Sequence, residues 1–278
     1  MIRSHLYFFV FFLMLNNLNA QDYLTNQFNY AKKLYDDEQY FDAITEFKRL
    51  LFFDNNGEYK FQANNFIGLS YKEGSKFSDA ILYFTLAEMN SRNDDELFDS
   101  KIEIIRSNIL RRTTSHAIEL LNSLESDKKF SIKMREINYW KGWAYIFSDN
   151  WEDASNYFAR TDSNKTLSSF CRKVAKDKYS ITAAKLLSLF IPGAGQIYAG
   201  RYLSGLLSLG WNFLWGYITI NSFVADRVFD GIVVGNFLWL RFYNGNLQNA
   251  TNFVEEENLK IVNKALYYLQ YGYTGTKP

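Results

Sequence analysis

The chain of 278 residues has one cysteine, Cys171, two prolines, Pro192 and Pro278, and two histidines, His5 and His116. A single cysteine forbids an internal disulfide, so no covalent cross-link can hold the fold. Without a proline before Pro192, nothing forces a break in a helical pattern over the first two thirds of the chain. His116 alone, once an amino-terminal segment is set aside, supplies neither a histidine triad nor a multi-histidine metal site. We therefore expect no catalytic residue, no metal, no cofactor and no enzyme activity. Charge of one sign is also missing: 31 Lys and Arg stand against 30 Asp and Glu. Such a balance excludes nucleic acid as a partner, since several phosphates would need a basic excess. The paired carboxylates Asp36-Asp37 and Asp94-Asp95-Glu96 fall where helices end or turns begin, and read as solvated loop charge.

What is present is a period. Alanine recurs every 37 residues, at Ala43, Ala80, Ala117 and Ala154. Four residues after each come Phe47, Phe84, Leu121 and Phe158, and twelve before come Ala31, Gly68, Ile105 and Gly142. Tyr40, Phe77, Thr114 and Trp151 lie three before, and Leu34, Tyr71, Asn108 and Tyr145 nine before. A small residue where two helices cross lets backbones approach, and a large aromatic one turn beyond the alanine fills the space beside it. This register, over about residues 24 to 160, resembles the tetratricopeptide repeat, with turns such as Asn55-Asn56-Gly57 absorbing the extra length over a nominal ~34 residues. The third copy departs at Ile105, Asn108 and Thr114, and the family's usual proline after the second helix is missing. The resemblance implies a right-handed superhelix of four helix hairpins, and residues Thr166 to Tyr179 read as an amphipathic helix that caps its exposed end.

Ahead of the repeats, Arg3 and His5, the apolar run Leu6 to Leu15 and a short polar tail ending at Ala20 have the order of a secretory signal over residues 1–20. Export would place the repeats, residues 21–180, in the periplasm or its equivalent. Composition then changes. Residues 21 to 180 hold 23 Lys and Arg and 25 Asp and Glu, whereas residues 181 to 278 hold 7 and 5.

The string Pro192-Gly193-Ala-Gly195-Gln196-Ile-Tyr198-Ala-Gly200-Arg201 breaks a helix and turns the chain. It lacks the third glycine and the Lys-Ser or Lys-Thr of phosphate-cradling loops. The string is similar to the motif that opens small bacterial membrane domains built on a two-helix hairpin. That resemblance covers about residues 183 to 250 and implies membrane residence without an activity. Independently, the 24 uncharged residues between Arg201 and Asp226 are long enough for a hydrocarbon layer of ~30 Å at ~1.5 Å per residue. Gly205, Ser208, Asn212, Gly216 and Thr219 share one face, which expects a protein neighbour. The neighbour is the next segment, Val228 to Tyr243, with the small-xxx-small pair Gly231 and Gly235. The hairpin over residues 181–250 either spans lipid or is a water-exposed or interfacial helical pair packed beneath the repeats. Asn252 and Glu255 read as a capping box opening an amphipathic tail helix in residues 251–278.

Together these readings predict an all-α chain: four tetratricopeptide-like hairpins, a short transmembrane hairpin and a tail helix. Function follows from a groove lined by the first helix of each pair. The family's groove positions map onto Phe28, Lys32 and Tyr35, then Gln62, Asn65 and Lys72, then Glu136, Tyr139, Trp143, Ile146 and Phe147. The expected partners are an envelope protein or peptide, or the protein's own tail, and membrane lipid. The expected work is that of a membrane-tethered scaffold at the bacterial inner membrane. A second reading makes the hairpin an oligomeric transport or insertion component, associating through Ser208, Asn212, Gly231 and Gly235 with the repeats as a regulatory domain.

Overall fold

The computed structural model of the chain describes residues 23–161 and 165–278, so the expected secretory segment lies outside the described residues. Among those residues every regular element is helical. The chain divides into two compact units. One holds the described residues up to Ser168 together with Thr276–Pro278, and the other is Ser169–Gly275.

The first unit is a succession of helix pairs: α1 (residues 23–36) with α2 (Tyr40–Phe53), α3 (Lys60–Glu73) with α4 (Phe77–Met89), α5 (Asp94–Leu110) with α6 (Thr114–Ser126), and α7 (Met134–Phe147) with α8 (Trp151–Ala159). Each pair packs on the next, α2 on α3, α4 on α5 and α6 on α7. The periodic alanines are the reason. Ala43, Ala80, Ala117 and Ala154 are all completely buried, as are Phe47, Phe84, Leu121 and Phe158. Gly68 and Gly142 form sockets for the aromatic rings. A Cβ on Gly68 would lie 2.7 Å from the Phe84 ring, and one on Gly142 would lie 2.6 Å from that of Phe158. In the third copy the sizes are exchanged: buried Ile105 stands on the socket position, and Leu121 replaces the phenylalanine. Such a volume-conserving swap keeps the interface filled, which is how this copy departs from the pattern and still packs.

The turns repeat as strictly as the cores. Glu38, Ser75, Arg112 and Asp149, again 37 residues apart, have positive φ of 60, 57, 66 and 62°. At each, the following amide reaches back over the helix end: Gln39 to Leu34 at 2.8 Å, Lys76 to Tyr71 at 2.8 Å, Thr113 to Asn108 at 3.0 Å and Asn150 to Tyr145 at 2.9 Å. This is the left-handed helix stop that usually takes glycine. Here four larger residues adopt it, because two stacked helices on either side leave the chain no other path. Between pairs the loops are stabilised by side chains. Buried Asp54 accepts from the amides of Glu58 at 2.9 Å and Tyr59 at 2.7 Å, and Asn93 caps α5 by accepting from Glu96 at 2.8 Å. Helix α9 (Lys165–Asp177) closes on α8 through Ser155 and Ser168, whose hydroxyls donate to one another's carbonyls at 2.8 and 3.0 Å.

In the second unit α10 (Ile181–Phe190), the short α11 (Ala194–Tyr198), α12 (Tyr202–Val224) and α13 (Val228–Val234) lead through a π-helical stretch, Gly235–Trp239, into α14 (Leu240–Tyr271). Helix α10 packs on α11 and α14, and α12 packs on α13. Two expectations need correction. Helix α12 has the expected bounds, yet among the described residues no helix is long and apolar enough to cross a membrane. Asn212, Thr219, Ser222 and the glycines on its inward face dilute its apolar character, and α13 is only seven residues long and contains Asp230. The tail helix does not begin at a capping box either. Asn252 and Glu255 lie in the middle of α14, since no proline falls between Leu240 and Tyr271 and the buried stripe Asn246, Ala250 and Val254 continues to Ala265 and Leu269.

The socket and turn positions can be tested by denaturant unfolding. Gly142→Ala should destabilise the protein by about 1–3 kcal/mol through overpacking against Phe158. Ser75→Gly should stabilise it by about 1 kcal/mol, because glycine adopts the left-handed conformation without a Cβ penalty. A neutral Gly142→Ala would show that the ring socket does not constrain the stack.

Candidate functional site

The first helices α1, α3, α5 and α7 meet side by side through their side chains, and the contacts form a continuous row. Tyr35 of α1 packs on Phe66 of α3, ring centres 5.3 Å apart. Lys72 of α3 forms an ion pair with Glu103 of α5 at 2.7 Å, and both are largely buried. Glu103 also pairs with Arg106, whose guanidinium lies over the Trp140 ring of α7 at 4.8 Å. Burial pushes the Lys72 ammonium below its ordinary pKa, opposed by the Glu103 carboxylate. Burial also pushes the Tyr35 hydroxyl up to about 12, with Glu73, Tyr40 and Glu103 adding to the rise. The row is thus aromatic at α1, charged at its centre and aromatic again at α7.

The groove residues expected from the sequence are distributed unevenly along it. Phe28 is half-buried in an aromatic cluster with Phe47, Tyr59 and Phe66. Lys32 pairs with Asp36 along α1 at 2.8 Å. Gln62 and Asn65 are half-buried on α3, with the Gln62 Oε1 unmatched among the described residues. Glu136 is exposed and accepts from the Trp140 indole at 3.3 Å. Tyr139 rests edge-on against Phe158 at 5.6 Å and donates its hydroxyl proton to the backbone carbonyl of Thr276. Trp143 and Ile146 are each only 2% exposed and offer no open surface. Phe147 is half-buried beneath the Arg112 guanidinium at 4.7 Å.

Glu103 and Arg106 are the residues sequence reasoning missed. The signal was there: Glu103 lies one period after Phe66 and one before Trp140, but the third copy's irregular core drew attention from its surface.

In the second unit the glycine string has a structural task. Gly193, at φ +94°, passes so close to α12 that a Cβ would sit 2.1 Å from the Gly205 carbonyl, and a Cβ on Gly195 would lie 2.2 Å from that of Ala184. Around them runs a buried polar network centred on Asn246 of α14. Its Oδ1 accepts from the Gly193 amide at 2.7 Å, the Gln196 amide group at 3.3 Å and the Ser208 hydroxyl at 2.9 Å, while its Nδ2 donates to the Ser188 carbonyl at 3.2 Å. Ser188 Oγ accepts from the Gly195 amide at 3.0 Å. Pro192 precedes this turn; Tyr198 accepts from the Ser180 amide at 3.1 Å, and Arg201 pairs with Glu256 and Glu257 at 2.9 and 3.1 Å after the left-handed Gly200. The expected packing face is also occupied within the unit. Gly216 faces the Trp239 ring, Gly231 the Phe223 ring and Gly235 the Thr219 methyl. Asn212 donates back to the Ser208 carbonyl at 2.8 Å. In contrast, the outer surface of α10, α12 and α13 exposes large apolar side chains, among them Phe190, Leu203, Phe213, Val224 and Phe229 at 73–80%.

Chemically reactive groups stay isolated. His116 is exposed and 3.4 Å from Glu119, beside a cavity of about 320 Å³ among α4, α5 and α6. No three His, Cys, Asp or Glu among the described residues gather to hold a metal ion. Cys171, completely buried on α9, has its thiol pushed up to about 12 by burial, which keeps it protonated and inert. No protein-family model, no curated protein and no solved structure matches the chain.

Two measurements follow. Glu103→Leu should destabilise the protein by about 3–5 kcal/mol by leaving Lys72 buried beside Arg106 without a counter-charge, and adding Lys72→Met should recover much of the loss in a double-mutant cycle. The Cys171 thiol, ordinarily at 9.0, keeps its proton in the folded state up to about 12. The unfolded chain alone ionises in that window, so stability should fall as pH rises through it, and Cys171→Ala should lessen the fall. Unfolding midpoints compared at about pH 8 and about pH 10 read the sign directly.

Proposed function

We propose that the chain is an exported scaffold of the bacterial envelope, in which tetratricopeptide-like hairpins bind a partner protein or peptide while the second unit holds them at the inner membrane. The carrying observation is the row of side chains from Tyr35 and Phe66 through Lys72, Glu103 and Arg106 to Trp140, which joins four helices into one face. Stacked helix pairs use such a face for extended partners. Aromatic rings supply contact area and the charged centre supplies orientation. Membrane tethering is supported by the many large apolar side chains that α10, α12 and α13 expose, among them Phe190, Leu203, Phe213 and Phe229. Lipid contact along this skin suits a hairpin lying in the membrane interface. The transport reading is weaker, because Asn212, Gly216 and Gly231 already meet neighbours inside the unit and leave little of that face for a second copy.

Cross-linking in intact cells, followed by affinity recovery of the tagged full-length protein, should return one reproducible envelope protein, and Arg106→Glu should abolish its recovery at unchanged expression. Retention of the same protein by that variant would remove the face from the partner contact. Purified wild-type protein should float with anionic lipid vesicles, and Leu203→Glu combined with Phe213→Glu should leave it in the soluble fraction. Equal flotation would detach the apolar skin from membrane binding.

A further inference from the structure

The last three residues belong to the repeat unit, although the chain from Ser169 to Gly275 forms the other. After α14 ends at Tyr271 the chain is non-helical to its terminus. Two of its contacts with the first-helix face are made through the backbone. Tyr139 donates its hydroxyl to the Thr276 carbonyl, and Arg106 donates an Nη2 hydrogen to the Lys277 carbonyl at 2.9 Å. Arg106 is set for this by Glu103 and by the Trp140 ring beneath it, and Glu103 in turn by Lys72. The charged row therefore ends in a donor pair aimed at a peptide backbone.

Beside that pair is an open depression of about 380 Å³, where the aliphatic Ile132 and the Trp140 ring lie among Lys133, Arg135 and Glu136 and the tail lines one edge with Thr276. A threonine side chain is small for such a space. The tail thus meets two side-chain donors with its backbone carbonyls and leaves the adjoining depression open.

We infer that the carboxyl-terminal tail is a weak self-ligand of this face, and that its preferred occupant is an extended partner peptide bearing a larger apolar side chain where the tail has Thr276. Backbone recognition makes the site tolerant of sequence, and the cavity supplies the preference. Tethering keeps the local concentration of the tail high, so it shields the site until a better-filling segment competes. This rests on the peptide-binding reading above, and identifies the site and the chemistry of its ligand.

The test uses full-length protein and a variant ending at Gly275, both in mild detergent, with two labelled, amino-terminally acetylated peptides: residues 273–278, and the same peptide with Thr276→Leu. Fluorescence anisotropy should show the shortened protein binding the native peptide about tenfold more tightly than the full-length protein does, as expected when an internal competitor is removed. The leucine peptide should bind the shortened protein several-fold more tightly than the native one. Tyr139→Phe in the shortened protein should weaken both peptides without moving its unfolding midpoint. Failure of the shortened protein to bind either peptide, or equal binding by the two proteins, overturns the self-ligand. Equal affinity for the two peptides overturns the cavity preference. Because the probes are the chain's own sequence, these outcomes do not depend on envelope location or on the cross-linked partner, and a failed cellular recovery beside positive peptide binding would sink only the cellular placement.

Discussion

Close approach of helices over missing side chains is the constraint on which both units depend. In the repeat unit Phe84 and Phe158 rest on Gly68 and Gly142, and these rings occupy the volume that a Cβ would take. In the second unit Gly193, Gly195 and Gly205 let α11 sit against α10 and α12 at distances no other residue tolerates. A glycine costs conformational entropy on folding, so it is stable at such positions only because dense packing on the exposed backbone more than offsets that cost.

Regular stacking has a functional consequence. When each helix pair is added with the same core and the same left-handed turn, the first helices come to lie side by side, and residues one period apart become neighbours. Phe66, Glu103 and Trp140 are one period apart, on α3, α5 and α7, and Lys72 and Arg106 link these helices beside them. A buried ion pair between Lys72 and Glu103 then orients Arg106, and Arg106 meets the backbone of the carboxyl-terminal tail. Core packing thus sets the geometry of the polar contacts between the first helices. The second unit reverses the distribution. Its polar residues converge inward on Asn246, and its large apolar side chains face out.

Much of the repeat unit was legible. The alanine and aromatic columns are burial signals, and they predicted four hairpins because burial repeats with the period of the fold. The third copy was hard to read, since its exchange of a small and a large residue preserves volume without preserving residue type. The turns were not legible, because Glu38, Ser75, Arg112 and Asp149 are four different residue types joined by backbone conformation. Of the groove positions expected in the fourth copy, Tyr139 meets the tail, while Trp143 and Ile146 are buried. Asn246 carried no signal at all, as one asparagine within a polar stretch of a long helix looks solvated until Gly193, Gln196 and Ser208 are brought around it.

By itself the sequence determined the helical class, the four-fold repetition, the change of character after the repeats and the need for a sharp turn at Pro192 and Gly193. These follow from local periodicity and from conformations that particular residues forbid or require. Only the tertiary structure decided that α14 runs unbroken through a suggested cap, that Lys72 is buried with Glu103, and that the carboxyl terminus returns to the face made by α5 and α7. Those features depend on contacts between residues far apart in the chain, whose energies no local pattern records.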